Sequence, residues 1–249
     1  MNSFWLRVRA PFAAFRWLQA GVYRATSPII PPSAAWGLVL NLAHIETRDH
    51  AATAKSKSVT TLTRQDVPPL CLAIGDACAP SADDADSADV VHSDRKATLY
   101  QQLHGYPVGS SGKDLATRTH GAKYWIAPVR RELLVDFDVV LGVRSPDAEL
   151  RQRVADGLAG RLDVPRYGLP FAGDNNCLFD RIDILDQPIA ARWYTPIAPD
   201  DTERRESCRL TVAIDRGDAS RTRSQLFAPT PPIATPPEAA WVWCPAPPT

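Results

Sequence analysis

The stretch from Arg7 to Ile45, RVRAPFAAFRWLQAGVYRATSPIIPPSAAWGLVLNLAHI, constrains this chain more than any other segment. It joins a short alternating run, a loop mixing arginines with aromatic rings, and a Pro-Pro-Ser start to a long apolar helix. Phe4 to Arg9 alternates apolar and polar residues and predicts a first strand. Pro31 and Pro32 end the loop, and Ser33 is the expected N-cap. Ala35, Leu38, Val39, Leu42 and Ile45 then recur at helical spacing, which predicts a half-buried helix to about Glu46. Arg7, Arg9, Arg16 and Arg24 interleave with Phe12, Phe15, Trp17 and Tyr23. Cations neutralise phosphates and flat rings stack on bases, so the mixture suits single-stranded nucleic acid. The same rings would serve equally as core, with the arginines at its rim, and the sequence leaves both readings open.

Charge is balanced in total, 28 basic against 28 acidic residues, but not in distribution. Asp76, Asp83, Asp84, Asp86, Asp89 and Asp94 follow one another with no Lys or Arg between them. From Arg95 to Arg131 the order reverses: Arg95, Lys96, Lys113, Arg118, Lys123, Arg130 and Arg131 face Asp114 alone. An acidic loop thus precedes a basic segment, and local fields rather than the net charge steer a polyanion. Gly105, Gly109, Gly112 and Gly121 punctuate the basic segment, which predicts a projecting hairpin.

Five cysteines, none in a Cys-x-x-Cys pair, argue against a zinc ribbon and against a disulfide framework. Buried, reduced thiols and a cytoplasmic location are the expectation. Five scattered histidines make a metal site unexpected, and no cofactor is called for. No apolar run is long enough to cross a membrane, and Arg7, Arg9 and Arg16 interrupt any signal-type core. Val108 to Asp114 resembles a phosphate loop but fails, since Pro107 replaces its first glycine and Asp114 its Ser or Thr.

Further along, Thr47 to Asp66 reads as a mobile loop or a short connecting excursion and Leu70 to Gly75 as a strand. Tyr124 to Val129 and Leu133 to Val143 read as two strands. Ser145 and Pro146 should open a second helix carrying Leu150, Val154, Leu158 and Leu162 and ending near Val164. A glycine-rich loop from Gly168 to Asn176 follows, read chiefly as a tight turn capped by Asp174 and Asn175, with Asn175 and Asn176 as contacts. Strands are expected near Leu178 to Leu185, Ala190 to Tyr194 and Leu210 to Ile214. Eight prolines between Pro229 and Pro248 predict an extended tail, docked by Trp241 and Trp243. The order predicts one α+β domain over residues 1–249, with a ferredoxin-like βαββαβ core. A loop and basic hairpin would be inserted at about 47–123, and a Pro-rich tail would run from about 228.

Two segments, RAPFAAFRW…SPIIPPSAAWGLVLNLAHIE and YGLPFAGDNNCLFDRIDIL, resemble the Cas-five family of CRISPR-associated proteins, a RAMP-type group, and within it the DevS-like branch of type I systems. The resemblance covers Arg9 to Glu46 and Tyr167 to Asp183; elsewhere only the order of elements matches. It implies a subunit at one end of the Cascade complex that holds the 5′ handle of the CRISPR RNA. It also implies contacts with the backbone subunit and the large subunit, and with target DNA only through the complex. Lys96 to Lys123 would be the family's basic thumb. The implied RNA contacts are Arg7, Arg9, Phe15, Arg16, Trp17, Tyr23, Arg24, Lys113, Arg118, His120, Lys123, Asn175 and Asn176. Some relatives cut precursor RNA without a metal, and His120, Lys123 and Tyr124 are the matching residue types. Binding without catalysis is the expectation. It requires the N-terminal arginines and the basic hairpin to share one side of the molecule.

Overall fold

A computed structural model describes residues 2–16, 23–55, 62–64, 66–77, 95–107, 124–198, 200–202 and 204–245, with backbone alone at 102–107 and 124–127. Strand β1 spans Asn2–Ala13. Phe4, Leu6, Val8 and Ala10 are buried, while Trp5, Arg7 and Arg9 between them are half-buried on the opposite face. After the short β2 (Tyr23–Arg24), helix α1 spans Pro32–Leu42. Its N-cap is Pro31, in extended conformation, and Pro32 opens the first turn, where the missing N–H costs nothing. Ser33 is therefore inside the helix rather than its cap, and the helix stops before His44, whose φ is 53°.

A small excursion follows: β3 (Arg48–Asp49), α2 (His50–Lys55) and β4 (Leu62–Thr63), with β3 and β4 paired as a separate two-stranded sheet. Strand β5 (Leu70–Ala77) is buried on both faces except at Asp76, which is why it reads as a continuous apolar run. Strands β6 (Lys96–Pro107) and β7 (Tyr124–Ser145) are antiparallel. The expected pair of strands between Tyr124 and Val143 is one strand of 22 residues. Arg130, Arg131 and Glu132 do not break it, because each pairs across to β6. Helix α3 spans Leu150–Leu158, later in its start and earlier in its end than expected. Ser145 still belongs to β7, and its hydroxyl accepts from the Asp147 N–H instead of capping a helix.

Strands β8 (Arg181–Leu185), β9 (Ala191–Ile197), β10 (Cys208–Ala213), β11 (Arg223–Pro229) and β12 (Val242–Cys244) complete the chain. The large sheet runs β10-β11-β9-β5-β7-β1-β8. Strand β7 lies between β1 and β5 and is antiparallel to both, so α1 connects two parallel strands across a gap of one. Likewise α3 connects β7 to β8 across β1. Both helices lie on one face, where Val39, Leu42, Leu150 and Val154 join Phe4, Leu6, Val8, Leu72, Val139 and Leu141 in one core. The span 47–123 is thus not a single insertion, since β5 within it is a central strand.

The other face is covered in part by the C-terminal segment. Strand β12 pairs with β5 at Leu70 to Leu72, and β9 pairs with the same edge at Gly75 to Ala77. Trp5, Trp193 and Trp241 meet edge to face, with centroids 6.0 and 5.7 Å from Trp5. Gly142 makes room beneath them: a Cβ there would stand 2.5 Å from the Trp5 ring and 2.8 Å from that of Trp241. Arg144 lies 3.8 Å from the Trp241 ring centroid and pairs with Glu238 at 2.6 Å. The stretch expected to be an extended tail therefore takes in the last residues of β11 and contributes β12 near its end, docked through Trp241.

Candidate nucleic-acid interface

Strand β1 leaves the sheet at Phe15 and Arg16, and the chain returns at Tyr23. Both ends of that excursion are fixed. Arg16 and Thr26 form an antiparallel bridge, Ser27 N–H donates to Phe15 O at 2.8 Å, and Thr26 Oγ1 accepts from Phe15 N–H at 2.9 Å. The returning strand β2 lies parallel on β7, with Tyr23 opposite Arg130 and Arg24 opposite Arg131. On the other side of β7, β6 places Tyr100 opposite Arg130 and Leu99 opposite Arg131. Cross-strand partners share a face. Tyr23, Arg130 and Tyr100 therefore form a row across three adjacent strands, at the root of the β6–β7 ribbon.

All three are exposed, Tyr23 at 46% and Tyr100 at 69%. The Arg130 guanidinium carbon lies 5.9 Å from the Tyr100 ring centroid. Tyr23 donates its hydroxyl to Glu132 Oε1 at 2.6 Å, and Thr26 N–H donates to Oε2 of the same carboxylate at 3.0 Å. Lys96 Nζ stands 3.8 Å from Glu132. Burial pushes Glu132 up, but the hydrogen bonds from Tyr23 and Thr26 and the charge of Lys96 outweigh it, so its carboxyl lies below the ordinary range. The same bond holds the Tyr23 phenol above its ordinary value. Glu132 is thus fully engaged, and it fixes both the path of β2 and the position of the Tyr23 ring.

Other arginines of these strands are neutralised within the chain. Arg7 pairs with Asp138, Arg9 with Asp183 at 3.2 Å, and Arg131 with Asp174. By contrast Arg16, exposed, Arg24, half-buried, and Arg130 make no ion pair among the described residues. Arg7 and Arg9 were expected to meet phosphate; each instead faces a carboxylate across the sheet. Phe15, expected to pack a base, is 3% exposed and stacks at a tilt on Phe137 with centroids 5.4 Å apart, so no face of its ring is open. Of the described rings in this stretch, Phe12 and Tyr23 are exposed, at 45% and 46%.

The glycine-rich loop is structural. Ala14 N–H donates to Ala172 O at 2.9 Å, and Ala172 N–H to Cys177 O at 2.6 Å. Gly173 has φ 80°, and a Cβ on it would stand 2.3 Å from Ala14 O, so only glycine fits. Asp174 accepts from Asn176 N–H at 2.9 Å and pairs with Arg131, which lies on the face of β7 away from Arg130. Asn175 and Asn176 are exposed at the tip. Trp17, Lys113, Arg118, His120 and Lys123 lie outside the described residues. Tyr124 is described only as the first residue of β7. Among the described residues no three His, Cys, Asp or Glu side chains converge to hold a metal.

Tyr100 and the separate fates of Arg130 and Arg131 were missed from sequence. The signal was present: a single strand through Tyr124 to Val143 forces Arg130 and Arg131 to opposite faces.

No protein-family model matches the chain, and no curated protein matches it. Solved structures do. A chain of a structure described as a "CRISPR RNA-guided surveillance complex" is 13% identical, with 93% of this chain and 90% of that chain covered and a TM-score of 0.53. A "Cas protein" is 9% identical over 93% of this chain and 95% of the other, with a TM-score of 0.41. A CRISPR protein from Archaeoglobus fulgidus is 10% identical over 94% and 88%, with a TM-score of 0.36. The first of these likenesses shows a shared α+β fold built on a large, mainly antiparallel sheet; the other two are too distant to add to it. No helix among the described residues is long and apolar enough to cross a membrane.

Proposed function

We propose that this chain is a noncatalytic RNA-binding subunit of a CRISPR surveillance complex of the Cascade type, in the Cas-five family, and that it holds the 5′ handle of the guide RNA. Its core is then the ferredoxin-like arrangement of β1, α1, β5, β7, α3 and β8, and the β6–β7 ribbon is the thumb. The observation that carries the reading is exposed Arg130, without an ion pair among the described residues, between exposed Tyr23 and Tyr100 at the root of the ribbon; Arg16 and Arg24, also without one, stand at the two ends of the N-terminal loop, with Arg24 on the Arg131 side of the sheet. Uncompensated cations beside exposed rings suit a single-stranded polyanion. The fold shared with a chain of an RNA-guided surveillance complex supports the same reading. Fold alone does not fix function, so the site carries the argument. The backbone and large subunits are the expected protein partners, and target DNA is reached through the assembled complex.

The test is binding of handle RNA by the full chain across a salt series. Arg16→Ala and Arg24→Ala should each weaken binding and reduce the slope of log affinity against log salt by about 1. Unchanged affinity and slope in both would overturn the assignment. RNA incubated with the chain in chelator should be recovered intact; a cut product would reassign the protein as a metal-independent endoribonuclease.

A further inference from the structure

We propose that Tyr23, Arg130 and Tyr100 form a dinucleotide seat, in which two successive unpaired bases of a single-stranded RNA each stack on one tyrosine and the phosphate between them meets Arg130. The inference rests on the RNA-binding reading above and adds which residues take bases and which takes the backbone.

Three features of the row support it. Its members come from three neighbouring strands, with Tyr23 and Tyr100 flanking Arg130. Adjacent strands lie about 4.8 Å apart, so the two tyrosines are roughly two strand spacings apart. That separation places two bases side by side on an unstacked strand, with a phosphate between them. A sheet face carrying one ring per base is a general solution for single strands, because every base has a π-face.

The rings are also available. Tyr100 is 69% exposed, and no hydrogen bond holds its hydroxyl among the described residues. Tyr23 is 46% exposed but oriented, since its hydroxyl is bonded to Glu132. An exposed ring held in place stacks on a base with little further loss of freedom. The nearby Glu132 carboxylate would repel a phosphate if it were open. It is occupied by Tyr23, Thr26 and Lys96, which leaves Arg130 as the local charge without a counter-ion among the described residues.

Arg130 also differs from its neighbour. Arg131 is nearly buried in an ion pair with Asp174 and serves the fold, while Arg130, on the opposite face, is exposed, lies 5.9 Å from the Tyr100 ring centroid and makes no ion pair among the described residues. A structural role that explains Arg131 does not extend to Arg130.

The experiment uses the full chain and handle-length RNA oligomers carrying 2-aminopurine at successive positions. Stacking on a tyrosine quenches this base, and two adjacent positions should be quenched by the unaltered protein. Tyr100→Leu should release the quench at one of them and weaken binding about tenfold. Tyr23→Phe, which keeps the ring, should retain its quench, whereas Tyr23→Leu should lose it. Arg130→Gln should weaken binding and reduce the salt slope by about 1. An abasic site at the quenched position should remove the penalty of Tyr100→Leu, because the two changes delete one contact. Equal losses with intact and abasic RNA would make the tyrosines merely structural and overturn the proposal. If these variants bind and quench as the unaltered chain does while Arg16→Ala and Arg24→Ala weaken binding, the seat is wrong and the RNA-binding reading stands. If the unaltered chain binds no RNA, that reading falls and the seat with it.

Discussion

Arg7 and Asp138 are joined by two hydrogen bonds across the β1–β7 pair, Nε to Oδ1 at 2.9 Å and Nη2 to Oδ2 at 2.6 Å. The bond to Asp138 holds the Arg7 guanidinium above its ordinary pKa against the opposing effect of burial, and Asp183 adds to it. A phosphate would have to displace a planar, bidentate partner that is already in place. Arg7→Ala should therefore cost about 1–2 kcal/mol of stability, between the values of exposed and buried pairs. Chemical denaturation measures that cost. The salt dependence of RNA binding should not change, and a lower slope would show that Arg7 also meets the nucleic acid.

The pair of Arg131 with Asp174 fastens the glycine-rich loop to β7, and both side chains are nearly buried, at 11% and 8% exposure. Asp174→Asn leaves the guanidinium without its counter-charge and should destabilise the protein by about 3 kcal/mol near neutral pH. Burial raises the Asp174 pKa, but Arg131 and the Asn176 N–H lower it further, so the net shift is downward. A carboxyl with a depressed folded-state pKa contributes stability above its unfolded value and loses it as pH falls through the folded one. The gap between the parent and Asp174→Asn should accordingly narrow on acidification below the ordinary carboxylate range. Denaturation midpoints at several pH values test this; a gap that widens in acid would contradict the assigned direction.

The parts of the fold legible in sequence were those governed by local pattern. Alternation marked β1, the apolar run marked β5, and helical spacing marked α1 and α3. Where local signals competed with pairing, pairing won. Arg130, Arg131 and Glu132 resemble a break between two strands, yet β6 on one side and β2 on the other give their backbone groups partners. Ser33 resembles a cap, but Pro31 in extended geometry already ends the loop. Prolines disguised β12, which finds its place through Trp241 and the edge of β5. The candidate site was half visible for the same reason. Arg16, Tyr23 and Arg24 belong to a compact motif, whereas Tyr100 and Arg130 join Tyr23 only through register, which spacing along the chain does not encode. Arg7, Arg9 and Phe15 carried the right chemistry but are consumed by carboxylates and core.

Gly142 tests the docking of the C-terminal segment. A Cβ at this position meets two rigid indoles at 2.5 and 2.8 Å, and neither is the free end of a flexible side chain. Gly142→Ala should push Trp241 away from Trp5 and destabilise by about 1–3 kcal/mol. Fluorescence of the tryptophans should shift to the red as Trp241 gains water. An unaltered spectrum and stability would mean that the sheet yields there without strain.

Cysteine chemistry offers a site-resolved probe of the same segment. Cys71, Cys177, Cys208 and Cys244 are all buried. Burial raises every one of these thiols, with Cys208 and Cys244 pushed up to about 12. At pH 8 a thiol of that kind is ionised to about one part in ten thousand, and its reagent has no path to it. A Cys78→Ser chain, which leaves these four, should thus show no rapid labelling by an aromatic disulfide reagent, and four equivalents once unfolded. Cys244 lies in β12, donating its thiol to Val212 O at 2.6 Å, so it becomes reachable only when that strand leaves β5. In a Cys78→Ser, Gly142→Ala chain Cys244 should label first and faster than global unfolding permits, identified by mass after digestion. Simultaneous labelling of all four at the global rate would show instead that the C-terminal segment and the central sheet open as one unit.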